Sequence, residues 1–371
     1  MHKVTFYPLG NADCCLIDLK DGDKKLLFDY ANCRDANDRY DLRIDLAETL
    51  KRNLEDVNRD YFDVVGFTHA DDDHIHGFSE FFYLEHASKY QDDERIKIKE
   101  LWVPAASIIE TGEQLQDEGR ILRAEARHRL IAGTGIRVFS RPDHLKAWLE
   151  EQGLTLESRQ HLMIDAGKIV PGFNKLSEGV EFFVHSPFAV HVENGVQDRN
   201  ECSLILQAVF LDESVETKLM LIGDTTNEIL TQIVEVTQYH SRNERLAWDV
   251  FDVPHHCSYL ALGDEKGKEK TEPVEKIKWL LEQGSVGGII VSPSKIIPPD
   301  DTIPPPHRQA ANYYKGVAKD IDGEFRVTME HPSKSAPKPL VIKIDGLGAT
   351  VEKLSVSAGA AIAGQTAPRV G

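Results

Sequence analysis

Residues 66–78 read GFTHADDDHIHGF, three histidines and three aspartates set between an apolar run and a Gly-Phe pair. Within this stretch His69, Asp71, Asp73 and His74 form H-x-D-x-D-H, with the strand-like VVGFT ahead and Gly77 behind at the expected start of a helix. A loop leaving a strand end turns alternate side chains toward one point, and four imidazole and carboxylate donors gathered there suit a pair of divalent ions. An exposed acidic loop is the plainer account of so much charge. It does not call for two histidines at this spacing beside an apolar strand.

Upstream, KVTFYPL, CCLIDL and KKLLFDY are short apolar runs separated by the turn-like GNAD and KDGD, so the chain is expected to open as an antiparallel meander. RIDLAETLKRNLEDV then carries apolar residues at helical spacing, and YFDVVGF returns to strand, giving a β-to-α-to-β alternation that delivers the acidic loop at its exit. Downstream, VEFFVHSPF, CSLILQAVF, TKLMLIGD and WDVFDVPHH read as strands, with TNEILTQIVEV a helix between the last two. The remaining unit is helix EPVEKIKWLLEQG, strand GGIIVSPS, the Pro-rich IIPPDDTIPPPH and helix RQAANYYKGVA, with closing strands near residues 325 and 340.

Two of these strands end in chemistry-bearing residues: LMLIGD in Gly223 and Asp224, VFDVPHH in His255 and His256. In an open α/β arrangement strand ends on one side share a crevice, so three strands would bring carboxylate and imidazole to one place. A carboxylate such as Asp224 can bridge two cations about 3.5 to 4 Å apart, although alone it also reads as the cap of the following helix.

The chain has 371 residues, is 41% hydrophobic and carries a formal charge of -18. That charge argues against an extended electrostatic footprint on nucleic acid, while divalent cations at a carboxylate-rich site remain compatible with it. Five cysteines without C-x-x-C spacing support neither a disulfide framework nor a Cys-rich zinc module, and a reducing cytoplasm is expected. No secretory leader or membrane-spanning run is read. One domain is expected over residues 1–348, with 105–165 a helical insertion or an extended crossover, and 349–371, rich in Ala, Gly, Ser and Thr, a flexible tail.

In order, THADDDHIHG, a later GD and a late HH resemble the metallo-β-lactamase fold. The match is fuller to its ComEC-type branch, the hydrolase domain attached to bacterial DNA-uptake channels: GNADC with Gly10 and Asp13, the acidic loop, NECS with Asn200 and Ser203, Gly223-Asp224, VPHHCS, and His307 before a helix. The resemblance, over residues 3–320, implies an αββα sandwich with the site at one edge. It assigns His69 and Asp71 to one metal and Asp73 and His74 to the other, with Asp224 bridging and His256 completing the second site. His255 and His307 would contact substrate or move protons, and Asp73 is counted with them among the catalytic residues.

The chain departs from the family where Asp71 replaces a histidine and Cys257 a glycine. An oxygen donor at Asp71 hardens the site, favouring Mn²⁺ or Mg²⁺ over Zn²⁺, whereas Cys257 is either a buried small side chain or a soft ligand that favours zinc. His185 is the candidate for a further family histidine, or is simply a strand-end residue. Asp29 either orients a ligand histidine or caps a turn, and Asp13 either shapes the metal loop or closes the GNAD turn. The resulting expectation is a two-metal hydrolase, a phosphodiesterase or nuclease, in which paired Mn²⁺ or Zn²⁺, or Mg²⁺, activate water. Its nucleic acid would be delivered by a partner protein, with no membrane involved and no oligomeric state implied. The alternatives are a small-molecule phosphodiesterase or esterase, or a regulatory subunit that docks through the 105–165 helices.

Overall fold

Period-two alternation sends neighbouring side chains of each strand into different layers. Leu26 and Phe28 enter one hydrophobic core and Leu27 another; Leu219 and Leu221 share the first of these, while Met220 and Ile222 enter a third. Three cores separated by two sheets make four layers, helices outside and sheets within, and a chain in this arrangement needs strands apolar on both faces. The computed structural model describes residues 1–110, 115–192 and 199–353.

In chain order the strands are β1 His2–Phe6, β2 Cys15–Leu19, β3 Lys24–Phe28, β4 Tyr61–Gly66, β5 Lys97–Pro104, β6 Ile136–Phe139, β7 Met163–Ile164, β8 Val180–Ser186, β9 Ile205–Asp212, β10 Val215–Leu221, β11 Trp248–Asp252, β12 Gly284–Ser292, β13 Glu324–Val327, β14 Leu340–Asp345 and β15 Gly348–Val351. The first sheet runs β15-β14-β1-β2-β3-β4-β5-β6-β7, and the second β13-β12-β11-β10-β9-β8. The opening meander is antiparallel from β1 to β3, after which β3 to β7 are parallel. In the second sheet β10 to β13 are parallel. The architecture is the αββα sandwich.

Residues 105–165 hold two crossovers. The helix Asp117–Ala132 links β5 to β6, the helix Asp143–Glu151 leads toward β7, and both strands extend the first sheet. Leu122, Ala126 and Leu130 of the first helix and Leu145 and Leu149 of the second are buried in the core of that face. The segment is thus packed into the fold; residues 111–114 within it lie outside the described residues. The expected tail begins later than composition suggested, because residues 349–351 pair with β14 as the antiparallel strand β15. The rest of it, 354–371, lies outside the described residues.

Candidate metal centre

Parallel pairing places the ends of β3 and β4 in the first sheet, and of β10 and β11 in the second, along one edge of the sandwich. From these ends hang Asp29, the Thr68–His74 loop, Asp224 and the His255–His256 pair, and Asp13 joins them from the start of β2. The two edges touch. A Cβ on Gly223 would come within 2.6 Å of Thr68 Oγ1, so only glycine lets the Asp224 loop approach the acidic loop this closely. Two backbone bonds and one from a side chain fix the register: Asp13 N–H donates to Asp73 O at 3.0 Å, Leu204 N–H to Thr68 O at 2.9 Å, and the Ser203 hydroxyl to Asp224 O at 2.7 Å.

Asp73, His74, Asp224 and His256 each offer one donor atom within 4.8 Å of the others, and Asp13, Asp29 and His74 make an adjoining group of the same kind. His74 Nε2 lies 3.5 Å from Asp224 Oδ1 and 4.0 Å from Asp73 Oδ1, while His256 Nε2 lies 3.1 Å from Asp73 Oδ2 and 3.7 Å from Asp224 Oδ2. The imidazoles present one nitrogen each. His74 Nδ1–H donates to Asp29 Oδ2 at 2.8 Å and His256 Nδ1–H to Pro293 O at 2.9 Å, which turns both Nε2 atoms toward the cluster. Thr68 Oγ–H donates to Asp29 Oδ2 at 2.7 Å and its oxygen accepts from His69 Nδ1–H at 3.1 Å, so His69 too presents Nε2.

The donors fit a cation. His69 Nε2, His74 Nε2, Asp13 Oδ1 and Asp224 Oδ1 are buried and have no hydrogen-bond partner among the described residues, an arrangement that costs free energy unless something satisfies it. Charge points the same way. Burial works against a charged His256, yet Asp224, Asp13 and Asp73 prevail and push its pKa up to about 10. His74 is likewise raised against burial, chiefly by Asp29 and Asp224. Burial opposes ionisation of Asp224, but His256 and His74 hold its carboxyl well below the usual range. Without an ion the carboxylates recruit protons onto the imidazoles; a divalent cation would take the protons' place.

The structure brings together most of the residues singled out from sequence. His69 and Asp71 stand beside the cluster, 3.5 Å apart, with the His69 and His74 ring centroids separated by 4.0 Å. His255 Nε2 is 3.7 Å from Asp224 Oδ2, and its side chain is part-exposed. Asp29, half of the choice between turn cap and orienting group, contacts His74 directly.

The role expected of His307 is corrected, and the alternatives left open at His185 and Cys257 are decided. His307 does not have a free ring nitrogen to act as general acid, because Nδ1 accepts from Tyr259 N–H at 3.2 Å and Nε2–H donates to Ile303 O at 3.0 Å. His185 donates from Nε2 to Arg245 O at 2.9 Å, and burial lowers its pKa to about 4, leaving a neutral structural histidine. Cys257 is buried in the outer core of the second sheet with Tyr314; burial pushes its thiol up to about 12, and it contacts Ser292 instead of the cluster. The sequence reading missed Arg199 and Glu110. Arg199 donates to Asp71 Oδ1 and pairs with Glu110 at 2.6 Å. A lone arginine directly before the NECS signature, in a chain this acidic, was the available signal.

No family model matches the chain, and no curated protein matches it. Among solved structures it is similar to unliganded yeast PDE1, at 11% identity over 88% of this chain and 96% of that one with a TM-score of 0.43. It is also similar to the metallo-β-lactamase fold protein YhfI from Bacillus subtilis, at 11% identity over 92% and 100% with a TM-score of 0.39. A third is a diphosphatase from the PhnP family, at 9% identity over 78% and 86% with a TM-score of 0.33.

Proposed function

We propose that this chain is a metal-dependent hydrolase of the metallo-β-lactamase type that cleaves phosphodiester bonds. The observation that carries the reading is the convergence of Asp73, His74, Asp224 and His256 within 4.8 Å, from both sheets, with buried donor atoms left unpartnered. These four residues would hold the ion, which supplies Lewis acidity toward a phosphoryl oxygen and lowers the pKa of water toward neutrality. Asp29 and Pro293 O fix the tautomers of His74 and His256. His255, part-exposed and facing Asp224, is placed to pass a proton to the leaving oxygen.

Two carboxylates and two imidazoles make a donor set of mixed hardness, and Mn²⁺ is the ion proposed, ahead of Zn²⁺ and Mg²⁺. With a formal charge of -18, a nucleic-acid substrate would be presented by a partner protein, a proposal supported by the absence of basic composition. The test is elemental analysis of the purified protein, then turnover of bis(p-nitrophenyl) phosphate and of single- and double-stranded DNA with Mn²⁺, Zn²⁺ or Mg²⁺. Diester cleavage lost on chelation and restored by Mn²⁺ is expected. Full metal occupancy without turnover of any diester would overturn the substrate class.

A further inference from the structure

The pocket expected to hold a second ion is built differently from the first. His69 Nε2 and Asp71 Oδ2 are 3.5 Å apart, but among the described residues no third histidine, cysteine or carboxylate completes a three-donor group with them. Catalytic sites of this chemistry normally supply three protein ligands per ion. The place of the missing ligand is not empty of charge. Arg199 Nη1 donates to Asp71 Oδ1, and Glu110 grips the same guanidinium through Nε at 3.1 Å and Nη2 at 2.6 Å. Glu110 is buried and the Arg199 side chain is 18% exposed, so the guanidinium is held in one orientation while still reaching solvent at the site's edge.

We propose that the centre takes one divalent ion, in the Asp73, His74, Asp224 and His256 cluster, and that the Arg199 guanidinium serves in place of a second ion as the binding group for an anionic substrate oxygen. The inference rests on the hydrolase reading of the site. Its chemistry is direct. Asp71 already has its charge shared with a permanent cation, which lowers its value as a ligand, and a fixed positive charge disfavours a dication next to it. Of the five N–H donors of a guanidinium, three are directed at Asp71 and Glu110. The other two, one on each terminal nitrogen, are the donors such an oxygen would use. Glu110 is then a positioning residue, fixing the plane of the fork.

The experiment uses metal-stripped full-length protein and two probes, Mn²⁺ and inorganic phosphate. Calorimetric titration with elemental analysis is expected to give one Mn²⁺ per chain for the wild type. Phosphate binding to the Mn²⁺-loaded protein is expected to weaken about 10-fold to 100-fold in Arg199→Ala, the loss that follows from removing charge-assisted hydrogen bonds. Guanidinium ion added to Arg199→Ala should restore part of that binding, which a merely structural defect would not allow. Should Arg199→Ala fail to fold by circular dichroism, Arg199→Lys keeps the charge without the fork and is expected to give an intermediate loss. Two Mn²⁺ of comparable affinity in the wild type, or unaltered phosphate binding in a folded Arg199 variant, would overturn the proposal. Neither readout needs turnover, so a failed hydrolase reading shows separately, as bound metal and phosphate without cleavage.

Discussion

Replacing Asp29 with asparagine isolates the role of a single oxygen. Asp29 Oδ1 accepts Thr68 N–H at 2.7 Å, while Oδ2 accepts Thr68 Oγ–H at 2.7 Å and His74 Nδ1–H at 2.8 Å. Its backbone is left-handed, at φ 57, a conformation asparagine tolerates nearly as well as aspartate. In Asp29→Asn the amide oxygen must stay on Thr68 N–H, because the reversed amide would set two donors against each other. The amide nitrogen then faces His74 Nδ1, which can no longer donate to it. His74 is driven to carry its proton on Nε2, the atom aimed at Asp73 and Asp224, and that lone pair is lost to a metal. Changes of this kind outside the ligand shell cost about 10-fold to 100-fold in metal affinity, or about 1.4 to 2.8 kcal/mol. The assay is calorimetric Mn²⁺ titration of metal-stripped protein, with ¹H–¹⁵N correlation spectra of the His74 ring reading the tautomer. Wild-type affinity in the variant, or a His74 ring still protonated at Nδ1, would refute the reasoning.

His74→Ala and Asp224→Asn should each abolish metal-dependent hydrolysis and lower Mn²⁺ occupancy with the secondary structure intact; circular dichroism and elemental analysis check this, and full occupancy with full rate in Asp224→Asn contradicts it. Cys257→Ser should retain the ion and the metal preference of the wild type, since the thiol lies in the outer core; zinc-dependent activity lost in this variant would restore the thiolate as a ligand. Cys257→Gly removes a left-handed residue at φ 67, a relief of about 1 to 2 kcal/mol, and forfeits a comparable burial of about 1 kcal/mol. Its denaturant midpoint should therefore stay close to the wild type's. In metal-free protein His256 titrates at about 10 against an ordinary value of 6.5, so the stabilisation its protonated form gains from Asp224 and Asp13 is complete below pH 6.5 and is lost as pH climbs through about 10. The melting temperature of the stripped protein should fall across that window while the metal-loaded form holds, and a rise over the same window would exclude the protonated cluster.

The sheets and the site edge were readable because β3, β4, β10 and β12 finish in runs of buried residues, apolar on both faces, that stop abruptly at polar ones. VVGFT before His69 and LMLIG before Asp224 are of this kind. β5 was not readable: KIKELWVP begins with alternating charge, since Lys97, Lys99 and Glu100 sit at the solvent-facing end while Leu101 to Val103 are buried. β7 has two residues and no period to detect. β15 pairs at the sheet's margin with no fully buried residue, so its composition resembles that of the segment after it.

The site shows the same division between local and non-local information. His69 to His74 are six consecutive positions, and their joint purpose is written in their spacing. The partners that decide what each donor can do lie far along the chain: Asp29 is 45 residues from His74, Arg199 is 128 from Asp71 and 89 from Glu110. Pairing across such distances leaves no local pattern, and a histidine whose nitrogens are both spent on backbone, as in His307, is indistinguishable in sequence from one that is free. The left-handed run His255, His256 and Cys257, at φ 50, 50 and 67, explains why glycine would be the undemanding choice at position 257. Three such residues in succession are unfavourable by about 1 kcal/mol or more each, and they persist because Cys257 is anchored in the outer core while His256 is tied to Pro293 O. The turn brings both imidazoles to Asp224, each Nε2 3.7 Å from Oδ2, with His256 buried in the cluster and His255 part-exposed at its mouth, where a substrate can reach it.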